Sequence, residues 1–136
     1  MTTATGSVLY IEDNAINTIL VERILRARPG VTFGSAPDGR TGLDRAARQP
    51  PDLVLLDLDL PDIGGEQVLA ALRASAATRT IPVIVISGDT DPALHRRVLA
   101  SGAEFFLVKP YQITDLLGAV DGSLCAATPP GRRSRP

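Results

Sequence analysis

The sequence predicts an α/β fold: one doubly wound (βα)5 domain, a five-stranded parallel sheet with helices on both faces. Three observations carry that prediction. Short runs rich in Val, Ile and Leu recur at Val8–Ile11, Leu53–Leu56, Val83–Ile86 and Phe105–Val108. They are continuous rather than alternating, as strands buried on both faces are. Segments of helical period lie between them, so strand and helix alternate five times. Short connections with right-handed crossovers then give a parallel sheet.

Each element has its own justification. The first strand is Val8–Ile11, followed by a helix with Asn14 as N-cap, apolar positions Ile16, Ile19, Leu20 and Ile24, and a stop at Pro29-Gly30. A weaker strand, Val31-Thr32-Phe33, precedes a second helix around Leu43, Ala46 and Ala47 with Asp38 near its start. After the third strand, Gly64-Gly65 opens a helix carrying Val68, Leu69 and Leu72. After the fourth, Asp91 is an N-cap with Pro92 at the first helical position, and that helix carries Leu94, Val98 and Leu99 before Ser101-Gly102. The fifth strand leads into a helix with one apolar stripe, Ile113, Leu116, Leu117, Val120 and Leu124. Residues 1–6 and the Pro- and Arg-rich tail 126–136 are expected to be disordered, leaving a domain over 7–125.

Bulk properties narrow the function. At 136 residues with 44% hydrophobic and 21% charged content, the chain can bury a real core as one domain. A net charge of −1 supplies no general attraction to nucleic acid or anionic membrane. No apolar stretch approaches the ~20 residues that span a bilayer. The start, Met1–Ser7, lacks the basic flank and apolar stretch of a secretory signal. Cys125 is the only cysteine, so no internal disulfide forms; it reads as an ordinary helix residue, and a cytoplasmic location is expected.

The polar residues that end the strands are the informative ones. Glu12-Asp13 follow the first strand, Asp57 the third, Ser87 closes the fourth, and Lys109-Pro110 follow the fifth. Lys109 is the only lysine among fourteen Lys and Arg. A compact ammonium at a strand end, in a chain that otherwise uses guanidinium, suits an anionic ligand. Doubly wound sheets bind ligands outside the carboxyl ends of their strands. If the first and third strands are neighbours, Glu12, Asp13 and Asp57 converge. Two carboxylates ~4 Å apart repel by roughly 4 kcal/mol at an effective dielectric near 20, so three require a proton or a cation. All-oxygen ligands suit Mg2+, while a lone His95 and lone Cys125 leave no zinc site. A divalent ion beside Asp57, with Ser87 and Lys109 opposite, would orient a transferring phosphoryl group, and Asp57 is the natural nucleophile, forming an aspartyl phosphate.

In this arrangement the chain resembles the receiver domain of two-component response regulators. Asp57-Leu-Asp-Leu-Pro61 followed by Gly65, and Ser101-Gly-Ala103 before the last strand, add to the likeness. The resemblance implies strand order 2-1-3-4-5 and a signalling phosphoacceptor, not an enzyme in the ordinary sense. It makes Asp57 the acceptor of a phosphoryl group from a phosphohistidine on a partner. Asp13 and Asp57 would hold Mg2+, with Glu12 direct or through water and the backbone carbonyl of Asp59 as a further ligand. Ser87 would swing toward the phosphate, Lys109 would pair with it, and Phe106 would rotate as Ser87 moves, reshaping the surface of the fourth helix, fifth strand and fifth helix. A cis Lys109–Pro110 bond is also implied. Implied partners are a sensor histidine kinase or His-containing phosphotransfer protein and a downstream protein target, with neither nucleic acid nor membrane, and a monomer or weak phosphorylation-dependent dimer.

Phe106 stands where the family often has tyrosine, so its switching works by packing without a phenolic hydrogen bond. Asp59 and Asp89 each lie two residues beyond a key position and are expected to alter aspartyl-phosphate lifetime. Tyr111, His95 and Arg96-Arg97 read as surface or partner-facing residues. Three rival readings stand beside the main one of a free-standing single-domain regulator. The chain could be the receiver portion of a hybrid histidine kinase, to which Glu12–Asn17 also bears likeness. It could be a degenerate receiver, though every reactive position is filled. Asp57-Leu-Asp59 also resembles the Asp-x-Asp signature of haloacid dehalogenase-like phosphatases, but there the acidic pair follows the lysine and the nucleophile lies on the first strand.

Overall fold

Strand and helix alternate in the order β1 (Gly6–Ile11), α1 (Ala15–Leu25), β2 (Val31–Ala36), α2 (Gly39–Arg48), β3 (Leu53–Asp57), α3 (Gly65–Ala74), β4 (Val83–Ser87), α4 (Pro92–Ala100), β5 (Phe105–Val108), α5 (Ile113–Ala127). This is a computed structural model, and it describes residues 4–127. The five strands are parallel in the order β2-β1-β3-β4-β5. The predicted fold class and strand order are therefore those of the protein.

The sheet divides the core in two. Leu9, Ile11, Val54, Leu56, Val83 and Val85 face one layer, against Val68, Leu69 and Leu72 of α3 and Leu94 and Val98 of α4. Val8, Tyr10, Leu53, Leu55, Ile84 and Ile86 face the other, against Val21, Ile24 and Leu25 of α1 and Leu116, Val120 and Leu124 of α5. Successive strand residues point to opposite faces, and both faces are covered, so β3 and β4 are buried throughout. β2 and β5 lie at the edges and are only partly covered.

The predicted caps form. The Asn14 side chain accepts from the backbone N–H of Ile16 and Asn17, Asp38 from Thr41, and Asp91 from Ala93 with Pro92 at the first turn. Arg73, at the end of α3, is half buried. Its guanidinium donates to the carbonyls of Gly102 (2.8 Å), Ile81 (2.8 Å) and Arg79 (3.1 Å), binding the α3–β4 and α4–β5 connections together. Gly65 brings α3 onto the site: a Cβ there would lie 2.5 Å from Leu58 Cα and 2.8 Å from the Asp57 carbonyl oxygen. Only a residue without Cβ lets the helix start so close to the end of β3.

Four expectations are corrected. Ala4 and Gly6, expected to be disordered, are part of the fold. Ala4 is buried in the α1/α5 layer, and Gly6 opens β1 with its N–H on the Gly30 carbonyl, 3.2 Å away. β2 continues through Gly34-Ser35 to Ala36 because β1 supplies ladder partners as far as Ile11. α1 turns inward the face bearing Val21, Ile24 and Leu25, leaving Ile16, Ile19 and Leu20 exposed. α5 runs past the predicted boundary to Ala127, with Cys125 inside it. Residues 1–3 and 128–136, where further disorder was expected, lie outside the described residues.

Candidate functional site

Strand register assembles the site. Ile11 of β1 is level with Leu56 of β3, so the next residues, Glu12 and Asp57, are neighbours at the carboxyl edge. Asp57 is level with Ile86 of β4, and Ser87 with Val108 of β5. Lys109 therefore begins two strands away from Asp57, and its long side chain reaches across β4. Its Nζ lies 3.5 Å from Asp57 Oδ2 and 3.7 Å from Glu12 Oε1. The Lys109–Pro110 bond is cis.

Carboxylate oxygens of Glu12, Asp13 and Asp57 all lie within 4.8 Å of one another. Glu12 and Asp57 are each 3% exposed, whereas Asp13 is open to solvent. With Lys109 the cluster sums to two negative charges, and each carboxylate pair costs roughly 3–4 kcal/mol at a dielectric near 20. A hard divalent cation would balance it with oxygen ligands alone, so the donor set fits Mg2+.

The two buried carboxylates are held differently. Asp57 Oδ1 accepts from the backbone N–H of Asp59 at 3.0 Å. Glu12 is surrounded by donors: the Tyr10 hydroxyl at 2.9 Å, the backbone N–H of Asn14 at 3.2 Å and Asn17 Nδ2 at 3.4 Å. Burial, then the Glu12 charge, pushes the Tyr10 hydroxyl far above its ordinary pKa, so it remains a donor. Burial and Glu12 likewise raise Tyr111. The sequence reading passed over Tyr10 and Asn17. Tyr10 was findable, because residues two apart on a strand share a face and Tyr10 precedes Glu12 by two.

Ser87 is 1% exposed, and its hydroxyl accepts from the Asp89 N–H at 3.1 Å. The Asp89 carboxylate is turned back onto the Asp91 N–H at 2.9 Å. Asp59, Ser87 and Asp89 line one open hollow of about 420 Å³ between the β3–α3 and β4–α4 loops. Phe106, partly buried, packs on the α3/α4 layer of the core. His95, read from sequence as a surface residue, stacks on it with ring centroids 3.9 Å apart. On the other side of Lys109 a groove of about 540 Å³ is lined by Tyr10, Asn17, Leu20, Lys109, Tyr111 and Ile113, among others. Two of its lining residues expose apolar surface: Leu20 is 48% exposed and Ile113 56%.

Residues 8–121 match the family model described as the response regulator receiver domain. The chain is 32% identical over 114 residues to the transcriptional regulatory protein PdtaR of Mycobacterium tuberculosis, covering 84% of this chain and 54% of PdtaR, so it spans about half of that relative. It is 29% identical over 120 residues to the polar-differentiation response regulator DivK of Brucella ovis, covering 88% of this chain and 97% of DivK. In structure it is similar to the receiver domain of the sensor histidine kinase PA1611 from Pseudomonas aeruginosa PAO1, with a TM-score of 0.80, 26% identity, and coverage of 90% and 99%. That structure has a magnesium ion coordinated in its active site cleft.

Proposed function

This chain belongs to the response regulator receiver family, and from that premise we propose that it is a phosphoacceptor switch in a two-component or phosphorelay system, with Asp57 as the acceptor. The observation that carries the proposal is the buried Asp57 carboxylate beside Lys109, inside a cluster of three carboxylates. An Asp57 oxygen attacks the phosphorus of a partner's phosphohistidine, the P–N bond breaks, and the imidazole leaves with its electron pair. Asp13, Asp57 and the Asp59 carbonyl would hold Mg2+, with Glu12, fixed by Tyr10, Asn14 and Asn17, contributing directly or through water. When bound, the cation neutralises phosphoryl oxygens as charge develops. Lys109 moves from its carboxylate partners toward a phosphoryl oxygen. Ser87 gives up the Asp89 N–H and donates its hydroxyl to another. Phe106 then repacks, altering the α4–β5–α5 surface that meets the downstream target. Asp59 and Asp89 line the hollow beside the acyl phosphate and set its hydrolytic lifetime.

The phosphodonor docks over α1 and the groove beside Lys109. Exposed Leu20 and Ile113 line that groove, and Ile16 and Ile19 of α1 are exposed as well, apolar surface of the kind that marks a protein contact. A sensor kinase or a His-containing phosphotransfer protein would bring its phosphohistidine to Asp57 from this side. The match over nearly all of DivK supports the reading of a regulator that works through its receiver. The match to PA1611 supports the competing context of a hybrid kinase. No helix of the described residues is long and apolar enough to cross a membrane.

The test is intact mass after incubation with Mg2+ and acetyl phosphate. One phosphoryl adduct is expected, dependent on Mg2+ and absent in Asp57→Asn. An adduct that persists in Asp57→Asn overturns the assignment, and rapid donor turnover with no adduct would restore the phosphatase reading.

A further inference from the structure

His95 makes two contacts that an ordinary surface histidine does not. Its ring lies on Phe106 with centroids 3.9 Å apart and planes inclined at 31°. Its Nε2 lies 2.9 Å from the backbone carbonyl of Asp89. A carbonyl only accepts, so Nε2 carries the proton and donates. Helical side chains lean toward the helix N-terminus, which explains how a residue in the first turn of α4 reaches back to the loop before it. That turn is well anchored, with the His95 N–H on the Asp91 carbonyl at 3.1 Å and the Asp91 side chain capping Ala93 at 3.0 Å.

The contacts join end to end. The Ser87 hydroxyl accepts from the Asp89 N–H, the Asp89 carbonyl accepts from His95, and His95 covers Phe106. We propose that His95 is a positioning residue of the switch: its imidazole clamps the β4–α4 loop to Phe106, so that the Ser87 hydroxyl and the Phe106 ring move as one unit. The proposal rests on the phosphoacceptor reading above. When Ser87 leaves the Asp89 N–H for a phosphoryl oxygen, the loop is released, the Asp89 carbonyl shifts, and the imidazole withdraws from Phe106. In the unphosphorylated protein the same stack holds Phe106 in place. His95 is only half buried, while Leu94 and Val98 supply the core contacts of α4, so the ring is not needed to pack the helix.

The test labels the three phenylalanines of the chain with 4-fluorophenylalanine and follows the Phe106 fluorine resonance with and without acetyl phosphate and Mg2+. In the parent protein that resonance moves on phosphorylation. In His95→Ala it is expected to lie already toward the phosphorylated position before any donor is added. The population there rises by roughly three- to tenfold, the effect of losing one aromatic contact, and the further change on phosphorylation shrinks. His95→Gln, which keeps an N–H donor but loses the ring, should fall between the two. Arg73→Ala, destabilised through a different set of contacts, should leave the Phe106 resonance where it is. Identical resonances in the parent and His95→Ala, free and phosphorylated, overturn the clamp while leaving the phosphoacceptor intact. A phosphoryl adduct without any movement of Phe106 in the parent overturns the switch role of Phe106 and the clamp together. Failure to form the adduct overturns the underlying reading itself.

Discussion

Two aspartates bracket β3, and they are put to opposite uses. Asp52, just before the strand, is exposed, and its Oδ2 accepts from the Ser7 N–H at 2.8 Å while its own N–H donates to the Ser7 carbonyl at 2.9 Å. Gly6 makes room for that clasp: its φ is +136°, and a Cβ there would lie 2.8 Å from the Asp52 carboxylate. Asp57, at the other end, is buried, takes one backbone N–H and faces an ammonium 3.5 Å away, with two further carboxylates close by. Asp52 is matched by neutral donors and closes the structure. Asp57 is left with unbalanced charge in a place where water cannot screen it, and that imbalance is available for binding a cation and a phosphoryl group.

The contrast breaks most visibly at Lys109. Lys109→Met removes the only cation within ion-pair distance of Glu12 and Asp57 among the described residues. Adduct formation from acetyl phosphate should slow by about 10²-fold, the scale of losing one charged stabiliser of a developing oxyanion. The Mg2+-free protein should also melt at lower temperature, because three carboxylates then share one site without a counter-charge. Asp57→Asn should do the reverse to stability, holding or raising the melting temperature while abolishing the adduct. Unchanged phosphorylation kinetics in Lys109→Met would make the lysine a bystander and remove the distinction drawn between the strand ends.

At the other end the expected effect is smaller and of a different kind. Asp52→Ala deletes the acceptor of the Ser7 N–H and should cost about 1 kcal/mol, the usual net worth of an exposed backbone-to-side-chain hydrogen bond. Chemical denaturation checks the loss, and intact mass should show adduct formation at the parental rate. A change in that rate would mean that the amino edge of β3 is coupled to its carboxyl edge.

Much of this was legible in the residues, for identifiable reasons. β3 and β4 are covered on both faces, so Leu53–Leu56 and Val83–Ile86 could be read as continuous apolar runs, and the polar residue at each end stood out. Asn14, Asp38 and Asp91 announced helix starts because their side chains satisfy orphan N–H groups. Edge strand β2 was read short: Gly34 and Ser35 have little β-propensity, and their place is fixed by pairing with Leu9 and Tyr10. In α1 apolar residues occupy two faces, and periodicity alone does not say which one the sheet covers. The buried set proved to be Val21, Ile24 and Leu25, and of the set left outside Leu20 lines the groove at Lys109. His95 gave no sign at all, since its two partners come from a preceding loop and a later strand.

The smallest expected effect sharpens the same comparison with a third aspartate. Asp62, in the loop after β3, accepts from the N–H groups of Gly39 (2.8 Å) and Arg40 (2.9 Å) at the start of α2. Like Asp52 it accepts from backbone N–H groups, here at the positive end of a helix, with the Arg40 guanidinium 4.0 Å away as well. Burial pulls its pKa upward, but the Arg40 and Gly39 N–H groups outweigh that and hold the carboxyl below its ordinary value. A carboxyl depressed in the folded state stabilises above its unfolded pKa, about 3.9, and that stability is lost as pH falls through the lower, folded pKa. Melting temperature followed from pH 6 to pH 3 should therefore fall less steeply below about pH 4 in Asp62→Asn than in the parent. Part of the slope should remain, because the Arg97 guanidinium holds the Glu66 carboxyl low as well. Parallel curves would show that Asp62 gains nothing from its two N–H partners. Adduct formation at neutral pH should be the same in both proteins, since Asp62 holds α2 in place and Asp57 takes the phosphoryl group.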